Sequence, residues 1–324
     1  MTEKFNKLII LCKGDSVTGG SELVHQLCHE LSSLNLKASV CYYPFNNSYK
    51  IPSAYSIYNV EQCSMEDDAS NLIILPEVAT KYAWKINKSK IGVWWLSIDN
   101  FYRKKGDNFL KDYLKYYKDL VRLRLMPLSF MKNFLHFAQS HYAYTYLKKY
   151  NIKSKYLSDY LNPIHFADVE RNKKNFILYN PVKGKKITQK LIEKNKEFNF
   201  IPLEKLSNEQ VQNLFNEAKL YIDFGNHPGK DRMPREAIMA DCCIITGKRG
   251  SAKNAVDIPI PEKYKFNDSN ELNNDLFKKT VHDIFENYNN RIKDFASYKE
   301  TIKKEKEIFQ KQVREIFTQL LNVK

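Results

Sequence analysis

Residues 221–236 read YIDFGNHPGKDRMPRE, and they contain the most informative motif of the chain. A strand is predicted over Lys219–Phe224, and it runs into a polar loop that carries Lys230 and Arg232. A helix is predicted over Pro234–Ala240, because proline is tolerated in the first turn of a helix. Both cations therefore lie where backbone N–H groups and the helix dipole favour an anion. The stretch predicts a strand–loop–helix unit with a phosphate-type site.

Two further loops of the same half have a similar composition. Residues 179–186 read YNPVKGKK and lie between a predicted strand over Asn175–Tyr179 and a predicted helix over Ile187–Glu193. Residues 247–252 read GKRGSA and follow a predicted strand over Cys242–Thr246. Lysine runs are often only solvated surface, but α/β sheets bind ligands at the carboxyl ends of their strands. We expect the three loops to converge on one anion site. Its predicted residues are Lys183, Lys185, Lys230, Arg232, Lys248, Arg249, Gly250 and Ser251.

Short apolar runs alternate with helical patterns along most of the chain, which is typical of α/β domains with parallel sheets. In the first half the predicted strands are Leu8–Cys12, Ala38–Tyr43, Leu72–Leu75, Ile91–Trp95 and Leu135–Gln139, and the last runs into a helix over Ser140–Tyr150. In the second half a strand is predicted over Phe198–Pro202, and Ser207 with Gln210 forms a capping box for a helix that reaches Ala218.

The domain boundaries follow from composition. The polar, aperiodic stretch Asp159–Lys174 is expected to join two domains. An apolar stripe that runs from Ile302 to Leu320 predicts a C-terminal helix that packs back. We therefore expect an N-terminal Rossmann-like domain over 1–160, a C-terminal one over 161–300, and a helix over 301–324 that returns toward the N-terminal domain.

The turn after the first strand, Gly14–Glu22, reads GDSVTGGSE. Its glycines allow backbone N–H groups to approach a ligand, although a plain strand–helix turn is the alternative interpretation. It is neither G-x-G-x-x-G nor a P-loop, so the usual nucleotide fingerprints are missing from this half.

Composition narrows the class of protein. The chain has 324 residues, 43% of them hydrophobic, and a formal net charge of +15. No apolar run reaches the length of a membrane-spanning helix, and the polar start lacks a secretory signal, so we expect a cytoplasmic protein. Six cysteines without C-x-x-C spacing predict buried thiols and no structural metal. The charge calls for an acidic partner, but biased amino-acid usage rich in Lys, Asn, Ile and Tyr accounts for it equally well.

These residues resemble a known family. Gly19-Gly20-Ser21-Glu22 resembles the "GG-x-E" opening of many GT-B glycosyltransferases. The loop at Lys183 resembles the basic loop that touches the donor pyrophosphate in these enzymes. Residues 224–250 are similar to the nucleotide-sugar region of family-4-like enzymes that build capsule and lipopolysaccharide. Residues 236–246, EAIMADCCIIT, resemble the pattern E-A-x-x-x-G-C-x-V-I-T.

The resemblance implies two Rossmann-like βα domains that face each other across a cleft, and transfer of a sugar from a nucleotide-diphosphate donor. A UDP-sugar is the donor it favours, with no cofactor and no metal. Glu236 would bind the donor ribose. Pro228 stands where the family has a first glutamate, eight residues earlier, so His227 and Asp231 become the candidates for sugar contacts.

The candidate catalytic bases are Asp15 on the glycine turn and Asp99 after the Ile91–Trp95 strand. A helix-capping role for Asp15 and an Asx turn for Asp99 are the alternatives. On the acceptor side we expect Gly19, Gly20, Glu22 and Trp95, with Trp94 and Trp95 stacking on sugar.

The acceptor is expected to be a glycan or a lipid-diphosphate-linked glycan. The aromatic and basic N-terminal half, from Tyr42 through Arg103, Lys104 and Lys105 to Lys118, suits an anionic membrane surface. Two alternatives remain open. One is a catalytically idle GT-B-like partner subunit, and the other is a nucleic-acid-binding protein. The nucleic-acid-binding alternative is disfavoured for two reasons. The cations of the predicted anion site lie in three loops of one half, and no nucleic-acid-binding signature occurs.

Overall fold

A computed structural model of the chain describes residues 4–102, 109–122, 124–167, 172–267 and 274–322. The chain divides into two compact units. The N-terminal unit comprises Met1–Asp159 and Lys306–Lys324, and the C-terminal unit comprises Tyr160–Glu305. Arg103, Lys104 and Lys105 of the expected membrane surface, and residues 168–171 of the expected connection, lie outside the described residues.

The N-terminal unit is built on a seven-stranded parallel sheet with the order β3-β2-β1-β4-β5-β6-β7. Its strands are β1 Lys7–Lys13, β2 Ala38–Tyr43, β3 Glu61–Gln62, β4 Asn71–Pro76, β5 Lys90–Trp95, β6 Leu135–Ala138 and β7 Lys155–Tyr156. Its first four helices are α1 Gly19–Ser33, α2 Ile98–Phe101, α3 Phe109–Val121 and α4 His141–Lys149. The central strands are apolar and fully buried because helices cover both faces of a parallel sheet; Leu8–Leu11 and Leu72–Leu75 have no exposed surface.

The C-terminal unit is built on a five-stranded parallel sheet with the order β12-β11-β10-β8-β9. Its strands are β8 Lys174–Tyr179, β9 Asn199–Pro202, β10 Ala218–Asp223, β11 Cys243–Gly247 and β12 Lys265–Phe266. Its helices are α5 Lys185–Lys194, α6 Asn208–Glu217, α7 Arg232–Met239, α8 Asn274–Glu286, α9 Tyr288–Arg291 and α10 Ala296–Lys303. The last helix, α11 Glu305–Phe317, begins in this unit and continues in the N-terminal unit.

The two parallel sheets confirm the expected α/β class with two βα domains. The capping box is present: Ser207 Oγ accepts from the backbone N–H of Gln210, whose side chain accepts from the backbone N–H of Ser207. The apolar stripe predicted on one C-terminal helix is instead divided between two helices, α10 and α11. Ile302 belongs to the core of the C-terminal unit, whereas the ring of Phe317 lies 5.6 Å from that of Phe137 in the N-terminal unit. Among the described residues, none of the helices is both long and apolar enough to cross a bilayer.

The order of the second sheet positions the basic loops. Strands β8, β10 and β11 are neighbours and run parallel, so their carboxyl ends lie at one edge. The three basic loops follow these strands, and α5 and α7 begin where two of the loops end. The adjacency of strands that are far apart in the chain brings the loops together.

Candidate functional site

Two glycines let the three loops pack against one another. Gly184 caps α5 with a left-handed φ of 60°, and a Cβ there would lie 2.4 Å from the carbonyl oxygen of Phe224. Gly250 has a φ of 54°, and a Cβ there would lie 1.9 Å from the carbonyl oxygen of His227. A side chain at either position would push the loops apart. The loops at Lys183, at His227 and at Arg249 are therefore in backbone contact.

Lys183 lies at the centre of this junction. Its Nζ donates to Asp231 Oδ2 at 2.9 Å and lies 4.0 Å from Asp223 Oδ2. Burial opposes the charged form, but Asp231 and Asp223 outweigh it and hold the pKa of Lys183 above its usual value. The side chain keeps 29% of its surface exposed. Lys183 is thus a permanent cation that is anchored on one side and accessible on the other.

His227 connects the same two carboxylates. Its Nδ1 lies 3.0 Å from Asp231 Oδ2, its Nε2 lies 3.5 Å from Asp223 Oδ1, and its side chain is fully buried. Burial disfavours the imidazolium, but Asp223 and Asp231 outweigh that effect and raise the pKa of His227. The expected direct sugar contact of His227 is wrong, because the ring has no exposed surface. Its role is to hold Asp231 and Asp223 in place.

Asp223 ends β10 and is fully buried. Its Oδ1 accepts from the backbone N–H of Gly225 at 2.9 Å, and its Oδ2 accepts from the hydroxyl of Tyr221 at 3.0 Å. Burial raises the pKa of Tyr221, and the neighbouring carboxylate raises it further, so this hydroxyl stays a donor. The carboxylate is therefore held in place by donors from its own strand and from the loop that follows.

Asp223, His227 and Asp231 offer atoms within 4.8 Å of one another that could hold a metal ion. The two ring nitrogens of His227 face different carboxylates, however, whereas a metal ligand directs one nitrogen at the ion. The Lys183 ammonium also lies near both carboxylates. The cluster therefore fits two protein cations, Lys183 and His227, that neutralise the two carboxylates better than it fits a metal site.

A second buried ion cluster supports the start of α7. Arg235 is fully buried, and its Nη1 donates to Glu305 Oε2 at 2.6 Å. The guanidinium also donates to the carbonyl oxygens of Asp231 and Lys230, at 3.2 Å each. Lys230 Nζ lies 2.9 Å from Glu305 Oε1. Lys230, a predicted phosphate ligand, is therefore paired with a carboxylate of the protein, as Lys183 is.

Glu236 lies one turn into α7, where its Oε1 accepts from Arg232 Nε at 3.2 Å. His165 Nε2 lies 3.5 Å from the same oxygen. Arg232 is the first residue of α7, so its guanidinium stands at the positive end of the helix dipole. Arg232 and Glu236 are thus adjacent, as one ligand that carries both a phosphate and a ribose would require.

The third loop contributes mainly to packing. Ser251 is fully buried, its backbone N–H donates to His227 O at 2.8 Å, and its hydroxyl donates to Gly229 O at 2.6 Å. Gly250 fits because it lacks a Cβ. Ser251 has no exposed surface, so the prediction that it contacts a ligand directly is wrong, whereas the contact predicted for the half-buried Gly250 stays a prediction. Lys248 Nζ lies 2.9 Å from Glu262, and Arg249 Nη1 is 3.5 Å from Asn226 Oδ1.

Lys185 is the first residue of α5 and is exposed. It stands directly after Gly184, at the amino end of a ten-residue helix. Its position therefore agrees with the predicted anion-binding role, and its direct part in binding stays a prediction.

In the N-terminal unit, the glycine turn leads into α1. Thr18 caps this helix by accepting from the backbone N–H of Ser21, so the alternative role of Asp15 as the cap does not apply. Asp15 is exposed and has a left-handed φ of 49°. Gly19 and Gly20 form the first turn of α1, and Gly20 has room for a ligand or a side chain nearby.

The remaining acceptor-side residues are buried. Trp95 has no exposed surface, and its Nε1 donates to His136 Nδ1 at 3.0 Å. Trp94 is equally buried, and its Nε1 donates to Leu157 O at 2.8 Å. The expected stacking of Trp94 and Trp95 on sugar is wrong, because β5 lies inside the sheet with both faces covered. Glu22 is buried and accepts from the Tyr58 hydroxyl at 2.8 Å, so a direct contact with an acceptor is wrong for it as well.

Asp99 is buried in α2, where its Oδ1 accepts from the Tyr142 hydroxyl at 3.0 Å. Burial and the neighbouring carboxylate raise the pKa of Tyr142, which therefore stays protonated as a donor. Ser97 caps α2 by accepting from the backbone N–H of Asn100. The predicted Asx turn is thus replaced by a serine cap.

Several residues of the site are absent from the sequence prediction. Asp223 is the one acidic residue in the predicted strand Lys219–Phe224, and a buried acid at a strand end is a signal that could have identified it. Arg235 and Glu305 are 70 residues apart. His165 and Glu236 are also distant in the chain, so no local pattern links the members of either pair.

Comparison with known proteins yields matches in structure but not in sequence. No family model matches the chain, and no curated protein matches its sequence. Among solved structures, Anabaena HepE in complex with UDP-glucose aligns with a TM-score of 0.63 at 10% identity, covering 97% of this chain and 100% of that one. Sucrose-phosphate synthase from Thermosynechococcus elongatus aligns with a TM-score of 0.68 at 9% identity, covering 97% and 98%. An E. coli trehalose-6-phosphate structure bound with UDP-2-fluoro glucose aligns with a TM-score of 0.59 at 10% identity, covering 98% and 100%.

These alignments extend over nearly the whole of each chain and include both parallel-sheet units. At this level of identity they establish the architecture. The chain therefore has the two-domain GT-B fold.

Proposed function

We propose that this protein is a glycosyltransferase that moves a sugar from a nucleotide-diphosphate donor to a glycan or lipid-linked acceptor. The observation that carries the proposal is the clustering of Lys183 and Arg232 near Glu236, in the loops and helix starts that follow β8 and β10, with Lys185 at the start of α5. Structures with the same fold include complexes with UDP-glucose and UDP-2-fluoro glucose, which makes a UDP-sugar the donor to test first.

The chemistry assigned to the site is stabilisation of the departing diphosphate. Negative charge develops on the leaving group during transfer, and preorganised cations and helix N-termini lower its energy. Lys183 has three N–H donors, one of which is used by Asp231, so others remain to reach a phosphate. Lys185 and the first turns of α5 and α7 supply further donors. We propose that these groups suffice and that transfer needs no metal.

The internal carboxylates shape how the donor binds. Lys230 and Arg232 are each paired with a carboxylate, so a diphosphate has to exchange with or share these partners. Arg232 can turn bidentately to a phosphate, which leaves Glu236 free to accept from the ribose hydroxyls. We propose this exchange as the binding step, with Asp231 as the neighbouring polar group on the sugar side.

For the acceptor hydroxyl we propose Asp15 as the general base, because it is exposed at the entry to α1. Asp99 is buried against Tyr142, and we propose it as a positioning residue and not as the base. The charge of +15 supports an anionic or lipid-diphosphate-linked acceptor at the inner face of a membrane. Synthesis of capsule, lipopolysaccharide or a related surface polysaccharide is the process we propose.

The experiment is a thermal-shift panel with UDP, GDP, CMP and their sugars. A ligand at 100 times its Kd stabilises the protein by about 2.7 kcal/mol, so the matching nucleotide raises the melting temperature clearly. We expect UDP to act, with or without EDTA, and Lys183→Met to reduce the shift by about half or more, while Lys190→Met, on the exposed side of α5, retains it. No response to any nucleotide would overturn the proposal. Nucleotide binding without hydrolysis or transfer of any sugar would indicate the idle partner subunit.

A further inference from the structure

Helix α3, with the sequence FLKDYLKYYKDLV, has an apolar face that points to solvent. Five residues on it recur at helical spacing and fall within about 100° of one another at 3.6 residues per turn. They are 47% to 81% exposed, and they are Leu110, Tyr113, Leu114, Tyr117 and Val121. Amphipathic helices of globular proteins normally bury such residues, so a contiguous exposed face of this kind marks an interaction surface.

A neighbouring side of the helix is anchored. Tyr116 and Leu120 pack against the core of the N-terminal unit, and the ring of Tyr116 lies 5.0 Å from that of Tyr102. Asp119 is buried, and its carbonyl oxygen accepts from the backbone N–H of Arg124 at 2.8 Å. The helix therefore packs on its own unit through this buried side. The exposed apolar face is not needed for that packing.

A basic band borders the exposed apolar face on one side. Lys111, Lys115, Lys118 and Arg122 are exposed and fall within about 60° of one another around the helix. Elsewhere in the same unit, Trp84 and Phe130 form an exposed aromatic pair with ring centroids 5.5 Å apart. On α3 itself, apolar, aromatic and basic side chains are thus combined.

This combination fits one partner. A helix with an apolar face beside lysines lies in the interface of an anionic bilayer, where its apolar side chains enter the acyl boundary and its lysines meet the lipid headgroups. A second copy of the chain fits less well, because a two-fold contact would bring the same basic band from each copy together. We propose that α3 is an interfacial helix that binds anionic lipid through Leu110, Leu114 and the neighbouring lysines. This role deepens the membrane association proposed above and is independent of donor chemistry.

The test is flotation of the full chain with vesicles of about 70% phosphatidylcholine and about 30% phosphatidylglycerol, against vesicles of phosphatidylcholine alone. We expect binding only to the anionic vesicles. Each basic residue near such a surface is worth about 5-fold in partitioning, so Lys115→Gln with Lys118→Gln should weaken binding by about 25-fold. Leu110→Gln with Leu114→Gln should weaken it by at least about 10-fold, because two apolar side chains no longer enter the membrane.

Ile308→Gln is the matched control, because Ile308 is an exposed apolar residue on another helix of the same unit. It should leave flotation unchanged. The UDP thermal shift, measured on every variant, reports folding and donor binding separately from lipid binding. Equal flotation of wild type and both α3 variants, or no binding of wild type to anionic vesicles, would overturn the inference. A lipid-free dimer that the Leu110→Gln/Leu114→Gln variant converts to a monomer would assign the face to a second copy instead.

Discussion

Replacing Lys183 by methionine tests the centre of the proposed donor site, because this residue has two separable roles. It neutralises the carboxylates of Asp231 and Asp223, at 2.9 and 4.0 Å, and it is the proposed contact for the donor diphosphate. Methionine keeps most of the volume of the side chain and removes the charge. The variant is therefore expected to lose both stability and donor affinity.

The magnitudes follow from the geometry. In an effective dielectric constant of about 20, the attractions at these two distances are about 6 and 4 kcal/mol before desolvation is subtracted. Breaking a buried ion pair costs about 3–5 kcal/mol net. We expect about 3 kcal/mol, the low end, because Lys183 is 29% exposed and His227 still faces Asp231. A lost charged hydrogen bond to phosphate should weaken UDP binding by about 10- to 100-fold.

The double variant Lys183→Met/Asp231→Asn separates the two effects. It removes the uncompensated carboxylate together with the ammonium, so the free energy of unfolding in urea should recover by more than half. UDP affinity, measured by calorimetry, should not recover, because no cation has been restored. If the double variant bound UDP like wild type, Lys183 would act only by neutralising Asp231. Unchanged UDP affinity in the single variant would refute its assignment as a phosphate contact.

Three further predictions concern the support of the site. Arg235→Met leaves the buried Glu305 paired with Lys230 and should lower the free energy of unfolding in urea by about 3–5 kcal/mol, with Glu305→Gln in the same chain recovering part of it. Gly250→Ala introduces a Cβ 1.9 Å from a carbonyl oxygen, so loop displacement should cost about 2–4 kcal/mol in urea and weaken UDP binding. The pKa of His227 is raised on folding, so its stabilising contribution is complete below about pH 6.5, the unfolded value, and is lost as the pH rises through the folded value. Urea denaturation from about pH 6 to about pH 9 should show this loss, and His227→Gln should remove that part of the pH dependence.

The sequence predicts the framework of the fold well, because parallel strands in this chain are short apolar runs between loops. The strand predicted over Ala38–Tyr43 has those same bounds in the structure. Composition alone predicts anion-binding loops at Lys183 and Lys230, because glycine and cations that follow a buried strand are typical of such loops, and this role stays a prediction. The beginning of α7 at Arg232 differs from the predicted Pro234 by two residues.

The residues that the sequence misassigns depend on strand order and on distant partners. Trp95 is predicted to face a ligand, but β5 lies between β4 and β6, and the order of strands in a sheet cannot be read from one strand. Helix α3 is also missing from the prediction, because it lies outside the strand–helix alternation that defines the two domains. The partner of Arg235 is 70 residues away, and pairs at that separation become visible only in three dimensions.

The paired cations of the C-terminal unit have a consequence for how ionic strength acts on the protein. Lys183, Lys230 and Arg232 have protein carboxylates as their counter-ions, so an incoming anion displaces few dissolved ions there. Lys115 and Lys118 of α3 are exposed to solvent, and dissolved anions near them would be released on contact with a lipid surface. Salt should therefore weaken attachment to a charged surface steeply and donor binding only slightly. Under the two proposals, ionic strength would set how much of the protein is attached to a membrane without changing how well it binds the donor.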